Sequence, residues 1–208
     1  MKLLLSMVLL IFLVSVSCKK GKADFTLSGK ITDESYNTPL SGATVKLYET
    51  VAGGSSIDLV GTSSTASDGS YSFTFPREQI ETYTLIVTKH NYFEINQDIS
   101  FSSLSIDDEN IRNYNTTAKA WVNLRFVNNG GQSTDLLEYT KQEGKQGCIE
   151  CCPITQQSLS GAVDTSIYCI NDGNTNYSYY YNLIGTTNQG LKTALTIPFD
   201  TTELLLSY

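Results

Sequence analysis

The sequence predicts an all-β chain folded as two β-sandwiches in tandem. Short runs alternate apolar and polar residues, turn-forming clusters separate them, and no segment carries a 3.6-residue apolar stripe. Composition agrees, with 13 Tyr and 15 Gly but only 4 Pro, a balance suited to pleated, half-buried surfaces joined by turns. A chain of 208 residues is long enough for one large or two small domains, each with its own core.

Lys2 opens the chain, an apolar run follows over residues 3–14, and the small residues Ser15, Val16 and Ser17 lead to Cys18. A basic start, an apolar run of about a dozen residues and a small-residue break are the three regions of an export signal. The run is shorter than the roughly 20 residues needed to cross a bilayer. This segment resembles a bacterial lipoprotein signal peptide, residues 1–17, with Val14 to Cys18 as a loose lipobox. The resemblance implies that Cys18 becomes the lipidated N-terminus and that the partner of this end is a membrane. Residues 18–24 then form a basic tether with Lys19, Lys20 and Lys22 at the headgroups. The implied address is the cell envelope, lipid-anchored to the outer membrane. Lys19 and Lys20, where some surface-exported lipoproteins carry acidic residues, tilt the expectation toward the periplasm-facing side.

The first sandwich is expected over residues 25–115. Residues 25–32, 43–48, 70–75 and 83–88 alternate, and Tyr71, Phe73 and Phe75 fall on one face against three hydroxyls on the other. Turn signals lie at residues 33–39, 53–56 and Asp68-Gly69, the last read as a tight hairpin. Residues 77–81 allow one short helical turn. The ordered series Leu27-Ser28-Gly29-Lys30-Ile31, Pro39-Leu40-Ser41-Gly42-Ala43, Ser67-Asp68-Gly69-Ser70-Tyr71 and Tyr83-Thr84-Leu85 resembles the carboxypeptidase regulatory-like domain. That module is a prealbumin-like (transthyretin-like) sandwich related to Cna-B repeats. The resemblance implies a rigid spacer or docking piece with no catalytic residue. His90, the one histidine, falls in a turn where Asn91 takes the left-handed backbone. The acidic triplet 107–109 reads as a solvated turn rather than a calcium loop, and the polar stretch 110–117 as the join between units.

The second unit, residues 116–208, reads as an immunoglobulin-like sandwich that no family motif anchors. Ala120, Val122, Leu124 and Phe126 line one face of its first strand, with Trp121 on the other. Further strands are expected at 165–170, 177–184, 192–197 and 203–208. Cys148, Cys151, Cys152 and Cys169 are an even number in an exported chain and read first as disulfides. Cys152 with Cys169 and Cys148 with Cys151 is the preferred pairing, because adjacent cysteines bridge poorly to each other; Cys151 with Cys169 is the rival. A Cys-x-x-Cys redox site and a four-cysteine metal site are lesser alternatives. Tyr177, Tyr179 and Tyr181 share a face: a candidate ligand patch if it meets solvent, core filling if it does not.

Lys+Arg number 14 against 21 Asp+Glu, so no basic face is expected for nucleic acid. A single histidine removes most triads and every multi-histidine metal site, and neither metal nor cofactor is expected. The expected function is a non-enzymatic envelope lipoprotein presenting a structural or binding surface. Its alternatives are a carbohydrate- or peptide-binding accessory of an outer-membrane uptake system and a pilin-like or adhesin assembly component, in which the apolar terminal strand around Leu204 and Leu206 would complete a neighbour's sheet. The partner, an envelope protein or a glycan, is not named by the sequence.

Overall fold

A computed structural model describes residues 23–208, apart from 52, 55 and 79. Cys18, the lipidation candidate, lies outside the described residues. The first unit is built from β1 (Asp24–Asp33), β2 (Thr38–Pro39), β3 (Thr44–Val51), β4 (Ile57–Ser64), β5 (Ser70–Pro76), β6 (Ile80–Thr88), β7 (Ile95–Ser100), β8 (Asn110–Ile111) and β9 (Tyr114–Thr116). The second contains β10 (Lys119–Asn128), β11 (Leu136–Glu143), β12 (Gln157–Ser160), β13 (Val163–Asp172), β14 (Asn176–Leu183), β15 (Gln189–Leu195) and β16 (Thr201–Ser207). Among the described residues the one helical element is a single 3-10 turn at Phe101–Ser103.

Each unit is a sandwich of two sheets. In the first, β1 lies between β5 and the short β8 and β9, which run parallel to it, while β4-β3-β6-β7 forms the facing sheet. Phe25, Leu27 and Ile31 of β1, every second or fourth residue, point inward with Tyr71, Phe73, Val45, Tyr83 and Leu85 and are essentially solvent-free. In the second, the sheets are β13-β10-β16 and β12-β11-β14-β15. Val122, Leu124, Phe126, Leu204 and Leu206 of one meet Leu137, Tyr139, Tyr177 and Tyr179 of the other.

The tandem of sandwiches is therefore as the alternation implies, but the strand order of the second is not that of an immunoglobulin domain. There the first strand shares a sheet with the second, fifth and fourth. Here β10, the first, lies between the fourth, β13, and a parallel seventh, β16. This is the order of the first unit, so one topology is used twice. Periodicity locates strands but not their neighbours, so the strand order cannot be read from it.

Three further expectations change. Asp68-Gly69 is not a hairpin within one sheet: β4 and β5 belong to opposite sheets, and the turn carries the chain between them. Gly69 is still required, since its φ is +75° and a Cβ there would lie 2.5 Å from the Ile31 carbonyl oxygen. The polar stretch 110–117 is not a linker, because β8 and β9 pair with β1 and close the first sandwich. Within residues 77–81, Ile80 and Glu81 belong to β6 rather than to a helical turn.

The sandwiches meet end to end. The C-terminal end of β1 faces the start of β10, where Ala118 N–H donates to Ser35 Oγ at 2.9 Å and the Asn174 amide to the Ser35 carbonyl at 2.7 Å. Lys119 N–H donates to the Asn91 carbonyl at 2.7 Å, and Phe93 N–H to the Thr117 carbonyl at 3.1 Å. Phe199 packs between Tyr36 and Tyr92, with ring centroids 6.5 and 5.4 Å away. Lys145 Nζ lies 3.8 Å from the Phe93 ring centre and 2.7 Å from Asp172 Oδ1. Asp24 is thus at the end of the first sandwich remote from this junction, and Tyr208, following β16, at the remote end of the second.

Candidate functional site

The tyrosine run on β14 does not form a surface patch. Tyr177 and Tyr179 are fully buried, and Tyr181 packs against the same core. Burial pushes the Tyr177 and Tyr179 phenols well above the usual tyrosine range. Tyr180, sent to the other face by alternation, is the exposed member and donates to Gln189 Oε1 at 2.6 Å. The face holding three tyrosines is the one that must fill the sandwich, so the candidate ligand patch is corrected to core.

The cysteines pair as Cys148–Cys151 and Cys152–Cys169, with Cα separations of 5.1 and 5.2 Å. They pin the β11–β12 loop along the free edge of β13. Ile170 N–H, which has no strand partner on that side, donates to the Glu150 carbonyl at 3.0 Å. Lys141, a cation almost wholly buried on β11, donates from Nζ to the carbonyls of Lys145 and Cys152 and lies 5.4 Å from the Tyr177 ring centre. Burial holds its ammonium below the usual lysine range. The loop thus covers an edge that would otherwise be open to another strand. Among the described residues no group of three or more His, Cys, Asp or Glu is placed to hold a metal ion. Asp107 and Asp108 instead donate their backbone N–H groups to the Ser105 hydroxyl oxygen, and Glu109 accepts from Ser28 at 2.6 Å. His90 is exposed, beside Asn91 with φ 60°.

The outer face of the sheet β13-β10-β16 combines aromatic, amide and charged side chains. Because β10 sends Ala120, Val122, Leu124 and Phe126 inward, Trp121, Asn123 and Arg125 face out. The register places Tyr168, Asn123 and Glu203 on one rung, Ile170, Trp121 and Thr201 on the next, and Ser166, Arg125 and Leu205 on the third. Tyr168 is 63% exposed and Leu205 46%, whereas Ile170 is buried at 3% and Trp121 beside it is partly buried. Between them Asn123 is only 9% exposed. Its amide nitrogen reaches Glu203 Oε2 at 3.4 Å, and its Oδ1 has no hydrogen-bond partner. Arg125 is paired with Asp164, whose carboxyl that bond holds below the usual carboxylate range. Tyr168 was within a strand the sequence predicted, and its alternation with Ile167 and Cys169 was the signal that it faces out.

The equivalent face of the first sandwich is an open trough of about 610 Å³ lined by Ser28, Lys30, Ser70, Ser72 and Glu109. Lys30 pairs with Asp68 at 3.1 Å. Ser70, through its hydroxyl and its backbone N–H, and then Lys30 lower the Asp68 carboxyl to about 2. Tyr71, the aromatic residue of the trough, is only 4% exposed, and Ile111 is the exposed apolar one.

No family model matches the chain, and no curated protein matches it. Among solved structures it is similar to a streptococcal ancillary pilin, at 12% identity over 91% of this chain and 63% of that one, with a TM-score of 0.38. It is similar also to the shaft pilin SpaA of Lactobacillus rhamnosus GG, at 11% identity over 90% and 98%, TM-score 0.37. A hydroxyquinol 1,2-dioxygenase from Pseudomonas putida matches at 10% identity over 39% of this chain and 40% of its own, TM-score 0.30. The chain therefore spans less than two thirds of the dioxygenase and of the ancillary pilin.

Proposed function

We propose that this chain is a non-enzymatic envelope protein, anchored through a lipid on Cys18, whose two sandwiches form a stiff spacer. The spacer holds the outer face of the second sandwich away from the membrane. The observation that carries the reading is the bonded end-to-end junction with Asp24 and Tyr208 at opposite remote ends. Strands β1 and β10 have 10 residues each, so each sandwich extends the chain by about 33 Å at roughly 3.3 Å per residue. The basic residues 19, 20 and 22 suit an anionic headgroup layer, and the periplasm-facing side of the outer membrane is the address they favour. In the pilin-like or adhesin alternative the terminal strand would not be the donated one, because Leu204 and Leu206 fill the core of their own sandwich.

The test is metabolic labelling with a fatty-acid analogue in the full chain and in Cys18→Ser. The wild type should take up label and sediment with membranes, and the variant should do neither. Equal membrane partition of the two defeats the anchor. The spacer is tested in vesicles by energy transfer from a dye at position 208 to a membrane dye. Transfer should be weak, and strong transfer would mean that the second sandwich lies on the bilayer.

A further inference from the structure

We propose that the outer face of the β13-β10-β16 sheet binds a neutral saccharide, a pyranose ring stacked on Trp121 with Tyr168 alongside it. The proposal deepens the reading of the second sandwich as the presented unit and rests on it. Trp121 and Tyr168 are diagonal neighbours on adjacent strands, since Trp121 pairs with Ile170 and Tyr168 with Asn123. Such neighbours lie about 7–8 Å apart, a spacing that one or two sugar rings cover. A pyranose has an apolar face of C–H groups and a rim of hydroxyls, so it asks for an aromatic surface bordered by hydrogen-bonding groups.

The border is present and mainly accepts. Glu203 offers a carboxylate that, among the described residues, has no cation in ion-pair reach. Asn123 Oδ1 is unpartnered at the floor of the face, and leaving such a group unmatched costs about 1–3 kcal/mol. Ligand hydroxyls are donors that both can use. The charges select against an acidic glycan: Arg125 is paired with Asp164 and also feels Glu203, so two carboxylates stand against one cation on the face. The chain also contains its own comparison. The same sheet of the first sandwich, built on the same strand order, lines its trough mainly with serines, and the aromatic ring there, Tyr71, is only 4% exposed and packs in the core, so an exposed aromatic such as Tyr168 is not a by-product of the topology.

Trp121 is the single tryptophan, so its emission reports on this face directly. The full chain in detergent is titrated with cellohexaose, xylohexaose, mannohexaose and maltohexaose. At least one should give a saturable emission change, with affinity at least ten-fold weaker in Tyr168→Ala and unchanged in Tyr180→Ala, whose ring lies on the opposite sheet. No saturable change with any of the four overturns the proposal. So does unchanged affinity in Tyr168→Ala, or, in a parallel titration with an oligogalacturonate, saturation with that acidic sugar alone. Loss of sugar binding with fatty-acid labelling and weak energy transfer intact would remove this ligand and leave the spacer standing.

Discussion

Single atoms decide whether each sandwich closes. A Cβ on Gly29 would sit 1.7 Å from the Arg112 carbonyl oxygen, and Tyr71 donates its hydroxyl to that same oxygen at 2.7 Å. The link between β8 and β9 thus crosses β1 where only glycine leaves room. Gly29→Ala should destabilise the protein by at least about 1–3 kcal/mol, the usual range for overpacking, read as a lower denaturant midpoint. Buried phenols make a second prediction. Burial pushes Tyr83 up to about 12 and Tyr71, Tyr177 and Tyr179 higher still. In the unfolded chain these groups lose their protons near pH 10, whereas the folded state retains them. Stability is therefore fully present below about pH 10 and falls as pH rises through the interval up to the folded values. A titration at 295 nm should show the exposed tyrosines ionising first and the buried ones only as the circular dichroism of the fold is lost.

At the scale of the element, the disulfide loop and the edge it covers belong together. Closing the segment between Cys152 and Cys169, 17 residues apart, stabilises by about 3 kcal/mol on the chain-entropy estimate. Replacing both by Ala should lower stability by about that amount, whereas replacing Cys148 and Cys151, three apart, should cost less; urea titration separates the two. Strands were legible where alternation is clean. In β5 three aromatics alternate with hydroxyl residues, and in β10 the inward positions from Ala120 to Phe126 are all apolar. β11 was hidden because Lys141 occupies an inward position after Leu137 and Tyr139, which breaks the apolar pattern. β4 was hidden because its Ile57 and Leu59 face solvent, and β7 because only Ile95 and Ile99, four residues apart, point inward. The site was half legible. Trp121 reads as outward from its neighbours, but its meeting with Tyr168 depends on β13 lying beside β10, which no local pattern encodes.

For the whole molecule, the junction determines whether there are two bodies or one. Phe199 has φ +67°, an unfavourable backbone for a bulky residue that persists only where its surroundings impose it. The imposition comes from the Tyr36 and Tyr92 rings and from Phe199 N–H donating to the Lys119 carbonyl at 2.8 Å. Phe199→Gly should keep the turn while removing the ring, so the two sandwiches should melt separately in calorimetry where the wild type melts as a unit. One feature of the topology also governs mechanics. In each sandwich the strand that receives the chain and the strand that releases it run side by side in the same direction, β1 with β9 and β10 with β16. A pull between Asp24 and Tyr208 therefore slides those strands past one another and strains all their hydrogen bonds at once, instead of peeling them apart in sequence. Such a tether resists drag along its length far better than a force applied across a hairpin, as tension spectroscopy with handles at the two ends would register.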